Sequence, residues 1–161
     1  NAEETCNGID ENCNGIVDDG ATDCPCEQRN YGSNSYWFCD TRYKEWTSAR
    51  NWCEDRDYVL VTINNSSEQT WLKEKILYDG AITNASYWIG LNDRDDEDDF
   101  EWTSGEPVTY TAWSGYYGGQ PDDYRGEDCV EINRWSGSPF GSDWNDLDCS
   151  DNIRYICEAS P

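Results

Sequence analysis

Residues 120–129 read QPDDYRGEDC, and residues 144–149 read WNDLDC. Both stretches combine carboxylic acids and side-chain amides with a cysteine, and the first also carries a proline. Calcium in proteins is bound by six to eight oxygen atoms from carboxylates, amides and carbonyl groups, with tolerance for irregular geometry. Together the two stretches predict a calcium site that is built from a loop and an adjacent strand.

The same residue types suit a sugar. A calcium ion that takes five or six oxygen atoms from the protein has room for two hydroxyl groups of one sugar. A carboxylate can then bind the ion and accept a hydroxyl proton, whereas an amide binds through oxygen and donates an N–H. The candidate ligands for ion and sugar are Gln120, Asp122, Glu127, Asn145 and Asp146. The simpler interpretation is that Asp, Asn and Gln merely populate surface loops.

The rest of the chain predicts an α+β arrangement. Thr47 is a candidate cap for a helix that ends near Arg56, and Ser66 with Gln69 forms a capping box for a second helix. Apolar segments predict strands at 36–39, 58–63, 87–91, 130–132 and 154–157. Residues 92–128 are predicted to be mostly loop, and a long loop inside a domain is usually functional.

Residues 1–25 differ in amino-acid composition from residues 26–161 and are predicted to form a separate unit. They are small, polar and rich in cysteine, with too few aliphatic residues for a core of their own. They resemble the front half of an EF-hand loop, with oxygen ligands at alternate positions and a glycine at the turn. The predicted ligands are Asp10, Asn12, Asn14, the Ile16 carbonyl, and Asp18 or Asp19. The alternative is an Asn/Gly-rich turn that happens to fit.

The charge of the chain restricts its partners. There are 34 acidic residues against 11 basic ones, and the formal net charge is -23. Such a polyanion is repelled by nucleic acid phosphates and anionic membranes, so neither nucleic acid binding nor membrane insertion is expected. The chain contains nine Trp and eleven Tyr, and aromatic residues at this density are typical of a folded core or a binding surface rather than of disorder. We therefore expect the carboxylates to bind divalent cations.

Cysteine and histidine content restrict the compartment and the chemistry. Nine cysteines predict an oxidising environment, and we expect a mature protein that is secreted or on the extracellular surface. Histidine is absent, which removes the usual general base and the Ser-His and Cys-His nucleophile pairs. An enzyme is therefore not expected. A glycosidase with two carboxylates is the remaining enzymatic alternative, but carboxylates that hold calcium cannot serve as acid and base.

Several spaced motifs resemble the C-type lectin-like domain over residues 26–161. The motifs occur in the family's order: Cys53, Trp88-Ile89-Gly90-Leu91, Gln120-Pro121-Asp122, Cys129, Trp144-Asn145-Asp146, Cys149 and Cys157. The resemblance implies the C-type lectin-like fold, with two helices, small antiparallel sheets and a long calcium-binding loop region. It also implies a cis peptide bond before Pro121.

The resemblance implies three disulfide bonds, namely Cys53–Cys157, Cys129–Cys149 and, as in the longer form of the family, Cys26–Cys39. Cys6, Cys13 and Cys24 then remain. A Cys6–Cys13 bond would clamp the N-terminal calcium loop and leave Cys24 without a partner in the chain. An odd cysteine in a secreted protein predicts a free thiol or a bridge to another chain, and so a homo-oligomer through Cys24 or the N-terminal segment.

By resemblance, the five candidate ligands match the family's sugar site, and a second calcium site is implied beside it. The second site would use Asp93, Glu97, Asp123, Glu127 and Asp128. The sequence Gln-Pro-Asp resembles the galactose-type version of the loop, in which an aromatic ring packs on the sugar; Tyr124 takes that place. The cofactor implied is therefore calcium at two or more sites, and the partner a glycan of galactose type.

Further features leave alternatives open. Aromatic residues at 116, 117, 135 and 140 are either additional sugar subsites or loop packing. Asn64, Asn65 and Asn84 begin glycosylation sequons. The second interpretation of function is a calcium-stabilised structural or adhesive surface protein, which self-assembles or binds protein through the same loops.

Overall fold

The computed structural model of the protein describes residues 3–22, 24–115, 119–132 and 144–161. Within them lie helices α1 (Trp46–Glu54) and α2 (Ser66–Tyr78). The strands are β1 (Glu27–Tyr31), β2 (Asn34–Lys44), β3 (Val59–Leu60), β4 (Tyr87–Asn92), β5 (Glu101–Trp102), β6 (Cys129–Ile132), β7 (Asn145–Leu147) and β8 (Ile153–Ala159). The predicted α+β class and the two helices are confirmed.

The described strands form one mixed sheet rather than small antiparallel ones. Its order is β1-β2-β8-β4-β6-β7, with β3 paired to β8 and β5 paired to β4. Every pairing is antiparallel except that of β4 with β8. The parallel pair joins the C-terminal strand to the middle of the chain, and β6 and β7 then carry the sheet to the predicted calcium loops.

Both helices have their N-caps before the predicted ones, two residues before Thr47 in α1 and one residue before Ser66 in α2. Helix α1 starts at Trp46, and no side chain caps it. The Trp46 main-chain N–H instead donates to the Cys149 carbonyl at 3.0 Å, and its indole N–H donates to Ile89 at 2.9 Å. A tertiary partner thus replaces the local cap expected from Thr47.

In α2 the cap is Asn65 rather than Ser66. The Asn65 side-chain oxygen accepts the main-chain N–H groups of Ser67 and Glu68, each at 3.0 Å. Asparagine competes well with serine for this position. Gln69, predicted to close the capping box, instead accepts the indole N–H of Trp144 at 3.0 Å.

Two buried clusters form the core, and both are rich in aromatic rings. One lies under α2 and includes Leu72, Ile89 and Trp144; the other lies under α1 and includes Trp37, Trp46 and Trp88. At Gly90 the backbone of β4 lies very close to the backbone at Leu60, and an added Cβ would lie 2.7 Å from the Leu60 carbonyl oxygen. This explains why glycine stands in the Trp88–Leu91 motif.

The N-terminal segment packs on the larger domain. Val17 is fully buried in the cluster under α1. The Asp18 carboxylate is also buried, and it accepts the main-chain N–H groups of Asn7 and Gly8 at 3.2 Å and the hydroxyl of Tyr58. Residues 1–25 were expected to form no core of their own, and two of their side chains are buried against the core of residues 26–161 instead.

Four disulfide bonds are present in the structure. Three are the bonds that the resemblance implies: Cys26–Cys39, Cys53–Cys157 and Cys129–Cys149. The expected Cys6–Cys13 bond is wrong, because Cys6 pairs with Cys24 across a Cα separation of 5.0 Å. The turn at Cys13, with φ of 57°, leaves that residue exposed, and Cys13 rather than Cys24 carries the free thiol.

This arrangement makes a direct prediction about thiol chemistry. In the non-reduced native protein, iodoacetamide should modify Cys13 alone, because it is exposed while the remaining cysteines are bonded. Peptide mapping by mass spectrometry locates the label. Any covalent dimer should disappear in Cys13→Ser, and label on Cys24 would contradict the Cys6–Cys24 bond.

Candidate metal and ligand site

The loop that begins at Gln120 is held in place by β7 and by the segment before it. The Gln120–Pro121 peptide bond is cis, as the resemblance implies. The Gln120 main-chain N–H donates to the Ser114 carbonyl at 2.8 Å. The Asp146 carboxylate accepts the N–H groups of Asp122 at 3.0 Å and of Asp123 at 2.7 Å. Asp146 therefore shapes the loop as well as presenting oxygen atoms to it.

A first group of carboxylates contains Asp122, Glu127 and Asp146, whose ligand oxygens lie within 4.8 Å of one another. Asn145 precedes Asp146 on β7 and is buried, and its amide nitrogen donates to Glu131 at 3.0 Å. Gln120 Oε1 is buried without a hydrogen-bond partner among the described residues. Buried acceptors that lack donors suit a cation, since an unmatched buried polar atom is otherwise costly.

A second group lies beside the first and contains Glu97, Asp123 and Asp128, again with ligand oxygens within 4.8 Å. Asp93 is 4% exposed, and its N–H donates to the Asp128 carbonyl at 3.1 Å. One Asp93 oxygen accepts from Asp98 at 3.0 Å, while Oδ1 is buried without a partner among the described residues. A cleft of about 180 Å³ has Asp93, Glu97, Asp122, Asp123 and Asp146 in its wall.

The proton affinities of these acids show the cost of packing them together. Burial raises the pKa of Asp146, although the N–H groups of Asp123 and Asp122 oppose the shift. Burial and the negative charge of Asp128 raise the pKa of Asp93, while the Asp98 N–H opposes the shift. Desolvation, followed by the charges of Asp123, Asp93 and Asp128, raises the pKa of Glu97. A divalent cation would reverse these shifts, and the residues present fit calcium in both groups.

Seven of the nine ligands expected at the two neighbouring sites lie in the two carboxylate groups or in the wall of the cleft. The other two are close to them in sequence, since Gln120 is two residues before Asp122 and Asn145 directly precedes Asp146. Glu127, implied in both sites, lies in the first group. Tyr124 is 60% exposed at the edge, and the Arg125 guanidinium lies 4.9 Å from the centre of its ring. The hydrogen bonds of Ser114 to Gln120 and of Gln69 to Trp144 were not predicted from the sequence, because the residues that they join are not adjacent along the chain. The aromatic residues at 116, 117, 135 and 140 lie outside the described residues.

The N-terminal loop is also folded around its predicted ligands, with one exception. The Asp10 carboxylate accepts the N–H groups of Asn14 at 3.1 Å and Gly15 at 2.7 Å. The amide groups of Asn12 and Asn14 both point to Asp19 Oδ1, at 3.2 and 3.1 Å. The buried Asp18 carboxylate instead accepts hydrogen bonds from Asn7, Gly8 and Tyr58, which favours Asp19 of the two predicted alternatives. Ile16 lies in the turn with the others, and its carbonyl remains a predicted ligand.

The three sequons have different environments. Asn65 is exposed and caps α2 through its oxygen, which leaves the amide nitrogen out of the cap. The Asn64 amide donates to Glu106 at 2.6 Å, a bond that a glycan would disrupt. Asn84 is exposed in the turn before β4. Glycosylation stays a prediction at each position.

Comparison with known proteins gives a consistent result. Residues 42–159 match the family described as "Lectin C-type domain". The chain is 33% identical to the alpha-N-acetylgalactosamine-specific lectin of Patiria pectinifera, over 81% of this chain and 76% of that protein. It is 31% identical to human C-type lectin domain family 17, member A, over 89% of this chain but only 34% of that longer protein.

A solved structure agrees with the sequence comparison. The mouse scavenger receptor C-type lectin carbohydrate-recognition domain superimposes with a TM-score of 0.70 at 33% identity, over 85% of this chain and 96% of that domain. Neither described helix has the length and apolar character needed to cross a bilayer.

Proposed function

Because the chain belongs to the C-type lectin domain family, we propose that it is a calcium-dependent carbohydrate-binding protein of galactose type. The observation that carries the proposal is the pair of carboxylate groups whose loop members follow the cis Gln120–Pro121 bond. They adjoin two buried oxygen atoms, on Gln120 and Asp93, that have no donor among the described residues.

Gln120, Asp122, Glu127, Asn145 and Asp146 would hold the calcium of the sugar site. Bound calcium supplies the positive centre that two neighbouring sugar hydroxyls coordinate. The chain supplies the rest of the recognition: Asp122 and Glu127 accept hydrogen bonds from the sugar hydroxyls, whereas the amide of Gln120 donates an N–H group. The hydrogen bonds from Asp122 and Asp123 to Asp146 keep the loop in one conformation before a sugar arrives.

Galactose-type recognition has three supports. The acid and amide of Gln120 and Asp122 follow the galactose-type order, and the relative from Patiria pectinifera is named as specific for alpha-N-acetylgalactosamine. Tyr124 offers an exposed ring at the edge of the site, suited to the apolar face of a galactose ring.

We further propose a stabilising calcium at Asp93, Glu97, Asp123 and Asp128, and another in the loop of Asp10, Asn12, Asn14, Ile16 and Asp19. The amides of Asn12 and Asn14 would turn their oxygen atoms toward this ion. The four disulfide bonds support the proposal that the protein functions in an oxidising, extracellular compartment. Exposed Cys13 is now the candidate for a covalent link between two copies.

A glycan array with calcium, and again with excess EGTA, tests the proposal. We expect galactose-type glycans to bind only with calcium, at a dissociation constant of about 1 mM for a monosaccharide. Calcium should also raise the melting temperature, since it binds the native state alone. Calcium stabilisation without glycan binding would favour the structural or adhesive function, and turnover of a glycoside would contradict a purely binding role.

The order of acid and amide should determine the sugar that is preferred. The double change Gln120→Glu and Asp122→Asn should move the preference from galactose to mannose, because it exchanges donor and acceptor while conserving net charge. Each misplaced hydrogen bond should cost about 1–3 kcal/mol, enough to reverse a preference between weak ligands. Competition with free sugars on a galactose column measures the change.

Tyr124→Ala should weaken galactose binding more than calcium binding.

Calcium titration serves as the control for the double variant. Its calcium affinity should stay within a few-fold of the wild-type value, because one acid and one amide are retained. An unchanged preference for galactose would show that Tyr124 or another part of the loop selects the sugar.

A further inference from the structure

Trp144 immediately precedes the predicted ligands Asn145 and Asp146, and its position is fixed from several directions. The residue is fully buried. Its ring meets the rings of Trp102, Tyr110 and Trp113 edge to face, with centroid distances of 5.7, 5.9 and 5.9 Å. Its indole N–H donates to Gln69 Oε1 at 3.0 Å. These contacts hold the start of β7 against α2.

The main chain of Trp144 also connects the two ligand-bearing segments. Its N–H donates to the Ala112 carbonyl at 2.9 Å, and its carbonyl accepts the N–H of Ser114 at 2.9 Å. The Ser114 carbonyl in turn accepts the N–H of Gln120 at 2.8 Å. A displacement of Trp144 would therefore be transmitted to Asn145 and Asp146 along the chain and to Gln120 through Ser114.

Gln69 supports this arrangement from a rigid element. It lies on α2 and is 3% exposed. The preceding residue, Glu68, anchors the helix by accepting the Tyr36 hydroxyl at 2.8 Å and the Asn64 N–H at 3.1 Å. Glutamine in the buried face of a helix needs a partner, and the indole N–H of Trp144 supplies one.

We propose that Gln69 is a positioning residue of the calcium and sugar site, which it reaches through Trp144. The inference rests on the proposed calcium-dependent function, and it assigns part of the affinity of the site to a residue that touches neither ion nor sugar. Without the Gln69 acceptor, the buried indole N–H has lost a bond and Trp144 shifts to regain one. Asn145, Asp146 and Gln120 then leave the arrangement that one ion can satisfy.

Calorimetric titration with calcium chloride alone tests the role of Gln69. Gln69→Leu replaces the amide with an apolar group and so removes the acceptor, and it should weaken calcium binding about tenfold, as is typical when a residue that orients metal ligands is lost. Ile76→Ala is the matched control, because Ile76 lies on the same helix and is buried in the same cluster. It should lower thermal stability at least as much and leave calcium affinity unchanged.

A double-mutant cycle with Trp144→Phe completes the test. Phenylalanine has no N–H to donate, so Gln69→Leu should change calcium affinity less than about twofold in that background. If Gln69→Leu binds calcium like the wild type, or if Ile76→Ala weakens binding equally, Gln69 has no positioning role. If the wild-type protein binds no calcium, the proposed function itself fails.

Discussion

Asp146→Ala is expected to abolish calcium-dependent glycan binding and to weaken calcium binding about hundredfold or more, beyond what loss of an orienting residue costs. Asp146 would be a ligand, and its carboxylate also accepts the N–H groups of Asp122 and Asp123. The substitution therefore removes one oxygen donor and releases the loop that presents another. Calorimetric titration with calcium, followed by binding to a galactose column, measures both losses.

Asp96→Ala is the matched control, because it removes the same charge from an exposed position in the neighbouring acidic loop. It should change calcium affinity by less than about threefold, the scale of an exposed charge. The calcium-free form of Asp146→Ala should remain folded, since burial already disfavours ionised Asp146. Equal effects of the two variants would contradict a specific site and indicate general attraction of cations to an acidic surface.

The second large effect is expected from pH, through a pair of buried acids. Glu68 and Glu158 both face the hydroxyl of Tyr36, at 2.8 and 3.1 Å. One hydroxyl proton cannot serve two ionised carboxylates. Burial, with the charge of Glu68 next, raises the pKa of Glu158 from 4.5 to about 7, although bonds from Thr62 and Asn34 oppose the shift.

The folded protein thus favours protonated Glu158, whereas the unfolded chain ionises it at the ordinary pKa. The resulting contribution to the free energy of unfolding is fully present below pH 4.5 and is lost as pH rises through about 7. The difference between the pKa of Glu158 in the unfolded chain and in the folded protein corresponds to roughly 3 kcal/mol. Glu158→Gln stays neutral, so at about pH 8 it should be up to roughly 3 kcal/mol more stable than the wild type. Urea unfolding in EGTA at about pH 5 and about pH 8 measures this difference.

Asp79→Asn provides a control of opposite sign. The hydrogen bond from Arg29 lowers the pKa of Asp79 to about 2, so this acid stabilises the fold above pH 3.8 and loses its effect only as pH falls through about 2. Its replacement should lower stability equally at the two pH values. A pH dependence of Glu158→Gln that matches the wild type would place the titrating group elsewhere.

The sequence alone determined the family and the fold class, and it predicted a ligand set. Several motifs in a fixed order restrict the families to which a chain can belong far more than its composition does. The cysteines and ligand residues of such motifs also occupy defined positions in the fold of the family. Local chemistry also predicted cation sites in the acidic loops, because carboxylates and amides are the oxygen ligands that calcium takes. The structure accordingly contains the three disulfide bonds that the motif order implied.

Only the tertiary structure decided which partner each local group takes. Cys6 lies closer in sequence to Cys13 than to Cys24, yet it pairs with Cys24 because Val17 and Asp18 attach the segment between them to the core. Asp18 fits a calcium loop by spacing but is committed to Tyr58, forty residues away. Gln69 fits a capping box but binds Trp144, seventy-five residues away. A buried polar group takes whichever partner the fold brings within reach, and spacing along the chain does not reveal that partner.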